Sequence, residues 1–358
     1  MAEATRDEVV AALARVADPE SGRNLIEAGL VQGLVLKGGH VGFAIEVPAA
    51  RGKSAEPLRK AAEDAVAKLA GVLSVTAVLT AHNEAPRPQA PQQRAGIPGV
   101  GAIIAVASGK GGVGKSTVAV NLALGLSKLG LKTGLLDADI YGPSVPRLLN
   151  ITEKPESDGR VLQPIEKFGI KAMSIGFMVD TDTPMIWRGP MVQSALTQMM
   201  GDVAWAPLDV LVLDMPPGTG DAQLTIAQRV PLKGALIVST PQDIALIDAR
   251  KGLAMFRKTQ VPVLGIVENM STFVCPACGH ETHIFGHGGA RETAKQLGAP
   301  FLGEIPLVAE IRETSDAGTP IVALKPESPE AQAFLALARA IAEKIATPER
   351  PAPRIIME

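Results

Sequence analysis

Nine consecutive residues, Gly109, Lys110, Gly111, Gly112, Val113, Gly114, Lys115, Ser116 and Thr117, fit the spacing G-x-x-x-x-G-K-[ST]. Glycines let backbone N–H groups turn inward around a phosphate where a Cβ would collide. A helix starting at the loop adds its N-terminal partial positive charge. Lys115 is the residue to reach the β- and γ-phosphates, and the Ser116 hydroxyl the one to ligate Mg²⁺. A strand-length run, Ile103 to Ala107, precedes the loop, and a helical stretch follows with Gly130 as its stop. A chance glycine-rich turn lacks both flanks, so the expected ligand is ATP with Mg²⁺. Lys110 is not required by the standard loop. From that position it cannot easily turn back on its own phosphates, and it is either a solvated lysine or one that reaches a nucleotide held by a second subunit.

Carboxylates stand where such a loop needs them. The run Thr133–Leu136 ends in Asp137-Ala138-Asp139, and Val210–Leu213 ends in Asp214-Met215-Pro216-Pro217-Gly218-Thr219-Gly220-Asp221. In open α/β sheets ligands sit outside the C-terminal strand ends. Asp214 fits the residue that holds the Mg²⁺ shell, and Asp139 the one that orients an attacking water, since phosphoryl transfer needs positioning more than a strong base. Asp137 supports the switch or the magnesium shell, or else caps a turn. Gly218-Thr219-Gly220 is suited to sense a γ-phosphate through backbone N–H. Asn269 ends the run Val263–Val267-Glu268, and its amide can offer a donor and an acceptor to an adenine edge.

The two cysteines, Cys275 and Cys278, form Cys-Pro-Ala-Cys, followed by His280, His283 and His287. Two thiolates from one turn can share a metal or a cluster edge. A redox dithiol usually opens a helix beside a small βαβ core, whereas glycine-rich turns follow here. One chain offers two thiolates and most clusters take four, so a symmetric dimer with this segment on its axis would complete a shared [4Fe-4S] cluster. Zinc is the alternative. The histidines read equally as solvated loop residues.

These groups need a scaffold. Unbroken apolar runs alternating with helical stretches from residue 101 onward suit strands buried on both faces. The expected fold is α/β, a doubly wound, mainly parallel sheet over 101–347, with a small α/β domain at 1–80 whose strands 31–36 and 41–47 meet through Gly38-Gly39. Residues 81–100 read as a proline-rich linker and 348–358 as a loose tail. Residues 329–346 have the spacing of an amphipathic helix with Phe334, Leu335, Leu337, Ala338 and Ile341 inward. Hydrophobic residues are 46% of the chain and aromatics only 3%, so the core is aliphatic. A net charge of −2 argues against a broad nucleic-acid surface. No apolar run has the roughly 18–20 residues of a membrane span, and the N-terminus lacks signal-peptide character, so a cytoplasmic address is expected.

Together these residues resemble the Mrp/ApbC family of iron–sulfur cluster carrier ATPases, relatives of MinD and the nitrogenase iron protein. The strings that carry the resemblance include Asp137 to Ser144, Trp187-Arg188-Gly189-Pro190, Asp214 to Asp221, Pro241-Gln242-Asp243 and Glu268-Asn269-Met270-Ser271 leading into the cysteines. The resemblance implies slow ATP hydrolysis, a homodimer in which Lys110 acts across the interface, Asn269 at the adenine, a bridging [4Fe-4S] cluster, and delivery to apo iron–sulfur client proteins. It gives Trp187 and Arg188 no derivable role beyond packing. Residues 5–80 are similar to the PaaD-like cluster-assembly domain. That domain often has a cysteine after its hairpin; Val47-Pro48-Ala49-Ala50-Arg51 has none, which points to partner binding or regulation instead. The competing function is a MinD-like spatial-positioning ATPase without cluster transfer. That would leave the cysteines unexplained, and the C-terminal helix lacks the Lys/Arg run of a membrane-binding one.

Overall fold

A computed structural model of the chain describes residues 4–20, 22–48, 55–82, 96–159, 161–178 and 189–347. The chain divides into two compact units, Met1–Gln93 and Arg94–Glu358. Trp187, Arg188, most of the proline-rich stretch and the segment after residue 347 lie outside the described residues.

The smaller unit consists of α1 (Arg6–Leu13), β1 (Val31–Lys37), β2 (His40–Pro48), α2 (Glu56–Ala67) and β3 (Ser74–His82). β1 and β2 form an antiparallel hairpin, and β3 joins β2 in parallel. Gly38 and Gly39 make the turn at φ 57° and 78°, a region that costs glycine little. Alternation along β2 buries Val41, Phe43, Ile45 and Val47. They share one core with Val9 and Leu13 of α1 and Leu58, Ala62 and Val66 of α2.

The larger unit runs β4 (Val100–Ala107), α3 (Lys115–Lys128), β5 (Thr133–Asp137), α4 (Val145–Leu148), the short hairpin β6 (Ser157–Asp158) and β7 (Val161–Leu162), β8 (Ile165–Lys167), β9 (Ile170–Ser174), α5 (Gly189–Gly201), β10 (Leu208–Asp214), α6 (Asp221–Arg229), β11 (Gly234–Ser239), α7 (Asp243–Lys258), β12 (Val263–Val274), β13 (Glu281–Thr282), α8 (Gly289–Gln296), β14 (Phe301–Leu307), α9 (Ala309–Asp316), α10 (Ile321–Leu324) and α11 (Pro329–Ala346). The sheet order is β8-β9-β5-β10-β4-β11-β12-β13, with β14 also paired to β12. All pairings are parallel except β8 with β9 and β12 with β13. The central strands are buried on both faces, as their unbroken apolar runs require: every residue of β5 and β11 is buried. The chain leaves β4 toward β5 on one side and later adds β11 on the other, which opens a crevice at the C-terminal ends of β4, β5 and β10. No helix among the described residues is long and apolar enough to cross a membrane.

The sequence reading ended the strand that begins at Val263 near Glu268. β12 instead continues through Asn269 to Val274. Its polar second half stays extended because β14 pairs along it as far as Phe273↔Leu307 and β13 pairs its end. A kink at Met270, φ 56°, coincides with a register shift between Asn269 and Phe273.

α11 closes the core over α3, the helix that begins at the phosphate loop. Gly125 of α3 permits the approach, since a Cβ there would come within 2.8 Å of Ala338 Cβ. Phe334, Ala338 and Ile341 are fully buried. Replacing Phe334 by Ala removes a buried ring at this contact and is expected to cost about 3–5 kcal/mol. A fall in the urea midpoint of the larger unit checks it, and an unchanged midpoint would mean that α11 is not part of the cooperative core.

Candidate functional site

The loop between β4 and α3 is shaped by close approaches that only glycine allows. Gly112 and Gly114 lie at φ 80° and 79°. A Cβ on Gly114 would stand 2.2 Å from Asn269 Nδ2, and one on Gly109 would stand 2.2 Å from the backbone carbon of Asp248 in α7. The loop walls a cavity of about 270 Å³ that Lys110, Lys115, Ser116, Thr117 and Asp139 also line. The cysteine turn is not part of that lining.

Lys115, 6% exposed, stands among three carboxylates. Its Nζ donates to Asp214 Oδ1 at 2.5 Å and to Ser116 Oγ at 3.2 Å, with Asp139 Oδ2 at 4.0 Å. Asp214 and Asp137 are register partners on β10 and β5, both fully buried. Two like charges side by side in a dry place resist joint ionisation. Burial first, and then the Asp214 charge, push the Asp137 carboxyl up to about 7, against the N–H groups of Val145 and Asp139 and the Lys115 charge. Burial also raises the Asp139 carboxyl, with Lys115 opposing. Asp137 keeps no spare oxygen. Oδ1 accepts the Asp139 N–H at 3.1 Å, and Oδ2 accepts from Ser144 N, Val145 N and Ser174 Oγ. Of the two roles open to it, the turn-holding one is what its bonds make. Asp214 differs: its Oδ2 is buried without a partner. An anionic oxygen in that position beside a serine hydroxyl and a phosphate-type loop fits the shell of a hard divalent cation.

Lys110 reaches within its own chain to Gln242 Oε1 at 3.5 Å, just before α7. Asn269, 7% exposed, donates its Nδ2 to Val113 O at 2.9 Å and so braces the loop from beneath.

β12 carries Asn269 near its middle and delivers Cys275 just past its end. Cys275 to His280 form the tip of the β12–β13 hairpin. The Cys275 N–H donates to His280 O at 3.0 Å, and the Gly279 N–H to Cys275 O at 2.8 Å. The backbone N–H groups of Ala277 and Cys278, and then the Cys278 side chain, hold the Cys275 thiol below its ordinary value. A turn that aims N–H groups at sulfur favours a thiolate. Cys278 is exposed. His280 lies in the turn itself, but the other two histidines go elsewhere. His283 and His287 stack at 4.1 Å, and His287 lies beside Glu268 and Glu304 rather than at the cysteines. Those glutamates are already engaged: Glu268 accepts the N–H of Gly288 and Ala290 at the start of α8, and Glu304 pairs with Arg291 at 2.9 Å.

Several supporting residues escaped sequence reasoning. Ser174 reaches Asp137 from β9, Glu268 fastens α8 from twenty residues away, and Gln223 ties α6 to the carbonyls of Pro216 and Ser108. The signal for Gln223 was present in its position two residues after Asp221, but a lone glutamine on a helix carries no chemistry by itself.

Comparison with known proteins follows the same lines. The family described as NUBPL iron-transfer P-loop NTPase matches residues 99–342, and that described as iron-sulfur cluster assembly protein matches residues 6–78. An iron-sulfur cluster carrier protein of Synechocystis sp. is 45% identical over 95% of this chain and 98% of its own length. The iron-sulfur cluster transfer protein NUBPL of Dictyostelium discoideum is 54% identical over 70% of this chain and 78% of its own. Among solved structures, a nucleotide-binding protein of Archaeoglobus fulgidus in complex with ADP, in which cobalt was found, is 41% identical with a TM-score of 0.57, covering 66% of this chain and 92% of that one. The cell division ATPase MinD of Pyrococcus furiosus, 23% identical with a TM-score of 0.51 over 68% of this chain and 99% of its own, shares the fold.

The Asp137 carboxyl has a measurable consequence. Its value in the folded chain, about 7, lies above its ordinary value of 3.8. The folded chain therefore holds a proton that the unfolded chain has lost, and the stability this contributes is present at low pH and lost as pH rises through about 7. The urea midpoint of the wild type should fall between about pH 5 and pH 7 more steeply than that of Asp137→Asn, whose side chain cannot titrate. Parallel profiles would assign the titration to another group.

Proposed function

The chain belongs to the NUBPL iron-transfer P-loop NTPase family, and from that premise we propose that it is an ATP-dependent carrier of an iron–sulfur cluster, which it delivers to apo-proteins. The observation that carries this reading is β12, one strand that braces the phosphate loop at Asn269 and presents Cys275 and Cys278 just past its end.

In this reading ATP lies in the loop 109–117. Its phosphates compete with Asp214 for Lys115. Ser116 and Asp214, whose Oδ2 has no partner, would hold a magnesium ion, which would supply charge neutralisation to the phosphates. Asp139 orients the attacking water. Asn269 meets the adenine edge through the part of its amide not used on Val113. The cluster is cargo. Two copies of the chain hold it, each contributing Cys275 and Cys278, which makes a four-thiolate [4Fe-4S] site. The exposed apolar side chains flanking the turn, Val274 and Ile284, suit a contact with a second copy. The pairing of Lys110 with Gln242 is an arrangement it leaves when it crosses to the partner's nucleotide, so hydrolysis is slow until two chains meet.

Two experiments test the halves separately. Lys115→Ala should abolish tight ATP binding in a calorimetric titration, because the main counter-charge is gone. Asp139→Asn should bind ATP within a few-fold of wild type yet lose on the order of 10²-fold or more in turnover. Retained micromolar affinity in the first, or unchanged turnover in the second, would move the site elsewhere.

Cys275→Ser and Cys278→Ser should each remove bound iron and leave ATP affinity unaltered. Anaerobically reconstituted wild type should hold about four irons per dimer. Four irons per monomer, or stoichiometric zinc that iron and sulfide cannot replace, would defeat the shared cluster.

A further inference from the structure

Gln223 takes no part in the phosphate cradle or the carboxylate cluster, yet only 1% of its surface is exposed. It stands in the first turn of α6, just past the glycine-rich turn that follows Asp214. Its Nε2 donates to Pro216 O at 2.6 Å and to Ser108 O at 3.4 Å. Ser108 is the residue between β4 and the phosphate loop, and its carbonyl also accepts the Gly218 N–H at 3.0 Å. One carbonyl at the root of the loop therefore holds the turn twice, once through backbone and once through a side chain.

The two attachments differ in stiffness. Pro216 and Pro217 have fixed φ and little freedom. Gly218, at φ 94°, begins a Gly-Thr-Gly stretch whose backbone rotates at low steric cost. Gln223 holds the stiff half and the Gly218 N–H the soft half. Gln223 Oε1, moreover, is buried without a donor, although buried carboxamides ordinarily use both ends. Gln223 also shares with Asp139, the residue assigned to the attacking water, the lining of a cavity of about 490 Å³.

We propose that Gln223 is a positioning residue for phosphoryl transfer. Its donor end keeps Pro216 against Ser108 while the Gly218 N–H leaves Ser108 for the γ-phosphate, and its buried Oε1 accepts an N–H of the rearranged turn. The inference rests on the reading that residues 109–117 bind ATP.

The test uses the full chain and two variants. Gln223→Met keeps the volume and removes donor and acceptor. Gln223→Glu keeps shape and acceptor and removes both donations. Amide exchange across residues 215–224 is compared with ADP and with a non-hydrolysable ATP analogue, beside calorimetric ADP affinity and steady-state turnover. Wild type should protect 218–220 more with the analogue than with ADP. Both variants should bind ADP within about threefold of wild type, lose that contrast, and turn over at least about tenfold more slowly with KM little changed. A Met variant keeping both contrast and turnover within about twofold overturns the proposal. So does a variant whose ADP affinity and melting temperature fall in step with turnover, the mark of packing alone. The exchange contrast needs only nucleotide binding, so it decides the latch whether or not the wild type hydrolyses ATP. A wild type without ATP affinity is instead a failure of the phosphate-loop reading.

Discussion

One buried charge balance governs the larger unit. Asp137 and Asp214 end adjacent strands in register, and the Lys115 ammonium faces them, at hydrogen-bond distance to Asp214 and about 4 Å from Asp139. Removing one partner of such a buried pair is usually worth several kcal/mol, because the other is left uncompensated. The rest of the crevice follows. β5 and β10 must lie side by side for the carboxylates to meet, α3 must start where Lys115 can reach them, and the loop between must turn through glycines to allow it. Asp137 is consumed by this architecture: it fastens Ser144, Val145 and Ser174, which fixes the loop carrying Asp139. Asp214 keeps one oxygen uncommitted. Two identical side chains in register thus differ in their hydrogen bonds, one fully committed and the other with an oxygen to spare.

The second constraint is the continuity of β12. It is paired with β11 along its first half and with β14 nearly to its end. Asn269 touches Val113 O from this strand, and Cys275 follows six residues later, a span of roughly 20 Å at an extended rise. A paired strand transmits a displacement with little loss, whereas a loop absorbs it. The kink at Met270 falls within one of the two register shifts of the strand against β14, the other lying between Ile266 and Val267.

Legibility in the sequence followed how local each requirement is. The phosphate loop could be read because its chemistry forces particular residues into nine consecutive positions. The central strands could be read because burial on both faces forbids polar residues. The second half of β12 could not: Glu268, Asn269, Ser271 and Thr272 break the apolar run, and pairing with β14, some thirty-five residues on, keeps the strand extended through them. The Asp137–Ser174, Glu268–Ala290 and Gln223–Ser108 bonds were hidden for the same reason, since each joins residues that only the folded sheet brings together. The roles of Lys110 and Asn269 came from resemblance, and their bonds to Gln242 and Val113 could not have come from spacing.

The seat of α11 on α3 bears on how the protein is made. The helix that presents Lys115 and Ser116 is complete by residue 128, but the side chains that cover one of its faces, Phe334, Leu335 and Ala338, are synthesised about two hundred residues later. At ordinary translation speeds that leaves this face of α3 without α11 for on the order of tens of seconds on the ribosome. The smaller unit has its own core and is finished long before. A nascent chain of this protein therefore carries a smaller unit with a complete core while the α11 seat on α3 is still unfilled.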